Sequence, residues 1–594
     1  MTFEKFAKYL EQLEATSSRL KITEILANLF KEASPIEVEK ICYLSLGQLA
    51  PLYEGIEFNM AEKLMYRAIG LAFGVKEEEV KKEFKKVGDL GEVAYKLKVK
   101  SQKSKVKSKE LSVADVYEEL LKIAQDGGAG SVERKVNKMA ELLRELGELG
   151  VKYTVRIPLG RLRLGFSGLT IFDALSKIVA GDKSKRKEIE EAFNIQADIG
   201  HIAKAIKEKG LPGLKGIKIQ LGTPVMPGLC QRLPTAEEMI EKMSKVAVEP
   251  KYDGTRLQMH FSRQKKEQKR DDLSLFDFQS RGFVRTFTRN LENTTHMFPD
   301  LAQATWKEIK ADEVILDGEA IGYDEKTGKF LPFQETIKRK RKHEVAQTVK
   351  EVPLRYYVFD VLYKDGEDLL RVPFEQRRKI LEKIIPSGNK KIILSPQIVT
   401  DDPQELRRYH DEQKKKGLEG VVVKKWQSTY DPGRRGYTWV KFKEEEGKKG
   451  GGLADTLDCV VMGYNRGKGK RAGFGIGAFL VGIKESENSD MFLTISKIGT
   501  GLTDEQWREM NKRGNEVKVK EMPRQYKVDK NLVPDVWCDP KIVVEIQADN
   551  ITVSPIHTAG LALRFPRLVR FRDLKAPEEA TTLREARKLY RMQK

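Results

Sequence analysis

The period of the apolar residues changes near residue 215, and that change divides the chain into regions that must be built differently. Before it, segments such as Ile36 to Leu46, Met60 to Phe73, Val113 to Ala124 and Val132 to Leu146 carry apolar side chains at helical spacing. From Gly222-Thr223-Pro224-Val225-Met226-Pro227 to about Lys443 the texture is different. Short β-prone runs take over there (Val314 to Leu316, Tyr356 to Phe359, Val421 to Val423), with helical stretches between them. The polar stretch Glu444 to Gly452 then reads as a hinge. Beyond it comes a strand, Leu457 to Tyr464, then a Gly/Lys/Arg loop from Arg466 to Gly473, further strands, and a closing helical segment, Leu583 to Met592. A chain of 594 residues is too long for one core. The expected architecture is multidomain α+β, with an all-α domain over 1–215, an α/β domain over 216–447 and a small β-barrel over 448–594.

Charge narrows the partner. The formal net charge is +21, from 109 basic and 88 acidic residues, which points to a polyanion. The 33% of charged residues also suits the ion-paired surface of a thermophilic protein. No apolar run approaches the ~20 residues that cross a bilayer, and Met1 to Lys5 lacks a signal-peptide pattern. Four scattered cysteines, Cys42, Cys230, Cys459 and Cys538, show no metal or disulfide spacing, so a reducing cytoplasm is expected. The polar lysine-serine stretch Ser101 to Lys109 reads as an exposed loop, while the basic, glycine-punctuated Arg156 to Gly165 could lie along a phosphate backbone or simply turn between helices.

The chemistry concentrates around Lys251. The run Val246-Ala247-Val248 delivers this lysine to an Asp253-Gly254 turn, with Arg256 just beyond. A lysine nucleophile must be neutral, yet its ordinary pKa is about 10.4. Burial beside other cations lowers it, and Arg256 is placed to be one such cation. Alone, the tetrapeptide reads first as a hairpin with a solvated lysine. The motifs downstream weigh against that. Asp317-Gly318-Glu319 puts a carboxylate just past a strand, where it can meet a ribose hydroxyl or a metal. Phe359-Asp360 adds an aromatic face for a purine and another acid. Glu419-Gly420 opens a strand that ends on Lys424, and Trp439 to Lys443 alternates so that Lys441 and Lys443 share a face.

This ordered set resembles the ATP-dependent DNA ligases of the covalent nucleotidyltransferase superfamily. Lys251-x-Asp253-Gly254-x-Arg256 is similar to the family's adenylation motif. Thr288-Arg289-Asn290-Leu291-Glu292, Asp317-Gly318-Glu319, Phe359-Asp360, Glu419-Gly420 and Lys441-x-Lys443 come next in the family's order, and Leu563 to Arg572 resembles its last motif. Phe333-Gln334-Glu335-Thr336, Ser554-Pro555, Ala580-Thr581-Thr582 and Leu589-Tyr590-Arg591 resemble the replicative archaeal and eukaryotic branch. There are two departures. A charged insertion from Arg263 to Asp272 separates the first two motifs and reads as a longer surface hairpin, which could also touch DNA. The family's last motif ends in Asp-Lys, where this chain has Leu574-Lys575, with Asp573 one position early.

The resemblance implies a helical DNA-binding domain, an adenylation domain and an OB-fold domain, sealing nicks through lysyl-AMP and DNA-adenylate in replication, repair and recombination. It implies ATP and Mg²⁺ as cofactors, nicked duplex DNA as partner, a sliding clamp as a further one, no membrane, and a monomer. By residue-wise carry-over, Lys251 is the nucleophile. Glu249 and Phe359 frame the adenine, and Arg256, Arg289 and Glu319 the ribose and phosphate region. Arg435 and Lys441 reach the phosphates, with Lys443 at the α-phosphate. Arg572 and Lys575 act in the first step, and Glu319 and Glu419 support the metal. An RNA ligase or capping guanylyltransferase shares the lysine chemistry, and a non-catalytic DNA-binding scaffold would keep only the fold.

Overall fold

The structure is a computed structural model that describes residues 1–101, 109–160, 162–264, 282–339, 345–433, 435–442, 455–467 and 474–592. The chain forms two compact units, Met1–Lys443 and Glu444–Lys594. Four sequence expectations lie wholly or mostly outside the described residues: the 101–109 loop, the 263–272 insertion, the 444–452 hinge and the 466–473 loop.

The first unit opens on helices whose buried stripes keep the helical period. Phe3, Phe6, Leu10 and Leu13 of the helix Phe3–Glu14 all face the core. The expected helices stand at Pro35–Ser45, Glu62–Phe73, Val113–Gln125 and Ser131–Glu145. Ser34–Glu37 and Ser112–Asp115 form capping boxes that satisfy backbone donors at two of their N-termini. Arg156 is not a surface cation. It ends the helix Glu148–Arg156, almost fully buried, with Nη2 2.8 Å from Asp89 and Nη1 2.8 Å from Glu14. Of that segment's described arginines, Arg163 is the exposed one, in a left-handed backbone (φ 59°) and also tied to Asp89 at 3.2 Å.

Two sheets come next. The first contains β1 (Leu229–Arg232), β2 (Val246–Pro250), β10 (Ile398–Thr400), β11 (Val421–Lys425) and β12 (Arg435–Phe442), in the order β1-β12-β11-β2-β10. The second contains β3 (Thr255–Ser262), β4 (Phe283–Thr288), β5 (Glu313–Asp324), β7 (Leu354–Lys364) and β8 (Glu367–Asp368). Their order is β4-β3-β5-β7-β8, with β6 (Lys329–Phe330) on β5 and β9 (Ile392–Leu394) on β7. The helical region packs on these sheets. Met226 donates its backbone N–H to Asn194 at 2.8 Å, and Tyr53 meets Phe287 edge to face. Gly433 (φ 70°) lies so close that a Cβ would fall 2.5 Å from Asn194 Oδ1.

The second unit is built on the antiparallel meander β13 (Leu457–Arg466), β14 (Ile476–Lys484) and β15 (Phe492–Ile498). Into the same sheet come β16 (Lys518–Val519), β17 (Tyr526–Lys527), β18 (Val536–Cys538), β19 (Val543–Gln547) and β22 (Arg567–Phe571). A separate ribbon pairs β20 (Asn550–Val553) with β21 (Leu561–Arg564). Inward residues such as Val461, Phe479, Val481, Ile495 and Val544 fill one core, and the helix Leu583–Met592 buries Ala586 against it. No helix among the described residues is long and apolar enough to cross a membrane.

Candidate active site

Lys251 occupies the point where the chain leaves one sheet for the other. β2 and β3 lie in different sheets, so the Lys251-Tyr252-Asp253-Gly254 segment between them is a crossing and not a hairpin. Its tightness explains the glycine: a Cβ on Gly254 would lie 2.4 Å from the carbonyl oxygen of Ala320 on β5. Tyr252 anchors the turn, stacked on Tyr357 with ring centroids 4.5 Å apart. The backbone N–H of Lys251 donates to Gly420 at 2.9 Å, and its Nζ donates to Glu419. Gly420 just precedes β11, beside β2 in the first sheet, so sheet pairing itself brings Glu419 to the lysine.

The expected cation, Arg256, is held elsewhere. Its Nε and Nη2 fork onto Asp317 at 3.0 and 2.6 Å, and Nη1 donates to the Gly228 carbonyl at 2.7 Å. Burial works against its charge, but Asp317 more than offsets this and raises its pKa. Tyr430 completes a closed ring: its hydroxyl donates to Asp317 Oδ2 and accepts from the Gly228 N–H, both at 2.8 Å. The guanidinium lies over the Phe359 and Trp439 rings, each centroid 5.5 Å away. Thus the side chain in contact with the lysine amine is a carboxylate, and Arg256 is committed to Asp317.

Glu319 does not lie past the end of a strand. β5 runs from Glu313 to Asp324, and Glu319 sits in its middle, opposite Arg256 on β3 and Tyr357 on β7. The register slips between Asp317 and Gly318, so that Phe359 is the extra residue of a bulge on β7. Gly318 permits this, since a Cβ there would lie 2.6 Å from the Tyr357 carbonyl oxygen. Burial pushes the Glu319 carboxyl up to about 8, against the opposing pull of Lys251 and Arg256. The neighbouring acid, Asp360, is not part of the site. It is fully buried and forked by Arg377 at 2.7 and 3.0 Å.

Glu249 lies on β2, only 2% exposed. Lys424 Nζ reaches its Oε2 at 2.9 Å, while Oε1 is buried with no hydrogen-bond partner. Burial raises its pKa despite Lys424. Lys424 also donates to the Phe359 carbonyl at 2.8 Å and is boxed by the rings of Phe359, Phe374 and Trp439, 4.5–4.6 Å away. The sequence assigns no specific role to Lys424 and none to Tyr430. The placement of Lys424 at the end of the Val421-Val422-Val423 run was the available signal.

Arg289 is exposed in the turn after β4, where Leu291 takes φ 67°. It lines a small cavity with Pro224, Arg256, Thr288 and Asp317. Lys441 lies on β12, paired with Val422 of β11 and Arg232 of β1. Arg435 starts β12, but its side chain, like Lys443, lies outside the described residues. In the second unit Arg572 and Lys575 both reach Asp458, at 3.3 and 2.5 Å, and Asp573 pairs with Arg513. Among the described residues no cluster of three or more His, Cys, Asp or Glu side chains could hold a metal ion. Two carboxylates, Glu319 and Glu419, do face the lysine, which suits Mg²⁺, an ion held by one or two carboxylates plus substrate phosphates.

A lysine at the crossing between two sheets, its amine held by Glu419 and with Arg256 locked to Asp317 nearby, fits the covalent nucleotidyltransferase class. Three family definitions cover most of the chain: "DNA ligase N terminus" over residues 2–176, "ATP dependent DNA ligase domain" over 227–443 and "ATP dependent DNA ligase C terminal region" over 472–575. A "Probable DNA ligase" of Dictyoglomus turgidum is 44% identical over all of this chain and 98% of that protein. A "DNA ligase 2" of Thermofilum pendens is 41% identical over 100% and 98%. A solved structure titled "Pmar-Lig_PreS3" shares the fold, with a TM-score of 0.52 and 18% identity over 96% of this chain and 99% of that one. The chain belongs to the ATP-dependent DNA ligases.

Proposed function

We propose that the protein seals nicks in duplex DNA through three in-line phosphoryl transfers, with Lys251 as the nucleophile of the first. The Lys251 amine, having lost a proton, forms a bond to the α-phosphorus of ATP as the Pα–O bond to pyrophosphate breaks. AMP then passes to the 5′-phosphate of the nick, and the 3′-hydroxyl displaces AMP to join the strands. Such chemistry rests on positioning and charge neutralisation. The observation that carries this reading is the presentation of Lys251 at the sheet crossing, its amine held by Glu419 and its backbone by Gly420.

Glu249, whose buried Oε1 accepts no hydrogen bond and has Arg378 Nη1 3.9 Å away, and Phe359, re-aimed by its bulge, supply an edge and a face for adenine. Arg256 and Glu319 bound the ribose, and Arg289, Arg435, Lys441 and Lys443 the phosphates. Glu319 and Glu419 would hold Mg²⁺, which supplies charge neutralisation at the phosphates. Arg572 and Lys575 serve the first step, when the β-barrel unit meets ATP. The three-domain division at 215 and 447 belongs to the same reading, as do a cytosolic location and an excess of +21 that meets the DNA backbone without reading bases.

The test is incubation with Mg²⁺ and ATP labelled at the α-phosphate. Acid-labile label on Lys251 that chases onto nicked DNA establishes the pathway. Labelling with GTP or NAD alone changes the nucleotide, and absence of label from protein free of prior adenylate rejects the reading.

A further inference from the structure

One recessed carboxylate gathers two cations of the last motif. Lys575 Nζ donates to Asp458 Oδ2 at 2.5 Å, and Arg572 Nε lies 3.3 Å from Oδ1. The other side of the guanidinium is held by Glu545, which Arg572 Nη1 reaches at 3.1 Å and Arg570 at 2.6 Å. Asp458 is itself fixed on β13: its N–H donates to Thr581 Oγ1, and its carbonyl accepts from the Thr581 N–H, both at 2.9 Å. Its side chain is 15% exposed, against 27% for Lys575 and 29% for Arg572, so the acid sits beneath cations that remain reachable. The acid nearer in sequence is diverted, since Asp573 pairs with Arg513, and Leu574, between Asp573 and Lys575, stands wholly in solvent.

We infer that Asp458 is the positioning residue for Arg572 and Lys575, setting both cations for the triphosphate of ATP during self-adenylation. This rests on the reading of those two residues as first-step groups. An unheld lysine side chain samples many rotamers. A carboxylate anchored on a strand removes that freedom and leaves further N–H donors for phosphate oxygens. Asp458 touches no reacting atom and acts through the cations alone.

The test compares two single-turnover reactions of the full-length protein: self-adenylation with labelled ATP, and sealing of a nick that already carries AMP. Asp458→Asn is expected to slow self-adenylation roughly tenfold, in line with loss of a charge-assisted contact, while sealing stays within about twofold. Asp458→Glu keeps the charge and recovers most of the rate. Adding Asp458→Asn to a variant that already lacks both cations, Arg572→Ala with Lys575→Ala, costs little more than that variant alone, because the acid acts only through those two side chains. Equal loss in the two reactions would make Asp458 a support of the barrel and overturn the inference. So would unchanged self-adenylation in Asp458→Asn while Lys575→Ala is impaired. An unimpaired Lys575→Ala would remove the first-step reading underneath and the inference with it.

Discussion

The side-chain amine of Lys251 is held by Glu419, a residue 168 positions later in the chain. Neighbouring strands β2 and β11 create this contact, with Val421 opposite Pro250 and Val422 opposite Glu249. The nucleophile is therefore fixed by sheet register at its backbone and by an acid at its tip. Lys251→Ala should abolish labelling by ATP and leave nicked-DNA binding intact, as read by gel shift beside the labelling assay. Loss of both together would show the lysine to be a structural residue.

Gly420 shapes the same contact. It takes φ 135°, and a Cβ would lie 2.4 Å from the Phe442 carbonyl oxygen. Gly420→Ala is expected to lower stability by about 1–3 kcal/mol and to slow adenylation by moving the carbonyl that receives the Lys251 N–H. Thermal unfolding and the labelling rate check both effects. A stable variant with the normal rate would mean that the lysine does not depend on this backbone.

Glu319 should make the stability of the metal-free protein pH-dependent. Its carboxyl stands at about 8 in the folded protein against an ordinary 4.5, so between these values the folded state holds a proton that the unfolded chain has released. Stability contributed by this group is thus full below about 4.5 and falls as pH rises towards 8. Glu319→Gln, neutral at every pH, should flatten this part of the pH–stability profile read by thermal unfolding of the metal-free protein; a profile identical to wild type would show that Glu319 is not its source.

Asp360 serves the fold rather than the reaction. Both it and Arg377 are fully buried, and truncating one partner of such a pair costs about 3–5 kcal/mol because the other charge stays buried. Asp360→Ala should lower the unfolding temperature markedly. Asp360→Ala combined with Arg377→Met should be milder than the single change, as measured by calorimetry. An exposed-site response, with little change in melting, would contradict the burial.

Regions, helices and motifs were legible before any folding was considered. Helical spacing predicted Val113–Gln125, and β-branched runs predicted β5, β7 and β11, because local period and propensity are properties of neighbouring residues. Residue type and order likewise singled out Lys251, Glu319 and Glu419, which the fold brings together. What each charged group meets was settled by packing. Arg256 turned to Asp317, Asp360 to Arg377, Arg156 to Asp89 and Glu14, and Lys575 to Asp458, none a neighbour in sequence. Such partnerships arise from strand register and burial, which make an unpaired charge costly wherever the chain places it. A motif names the residues that can do chemistry, and the three-dimensional arrangement decides which partner each of them meets.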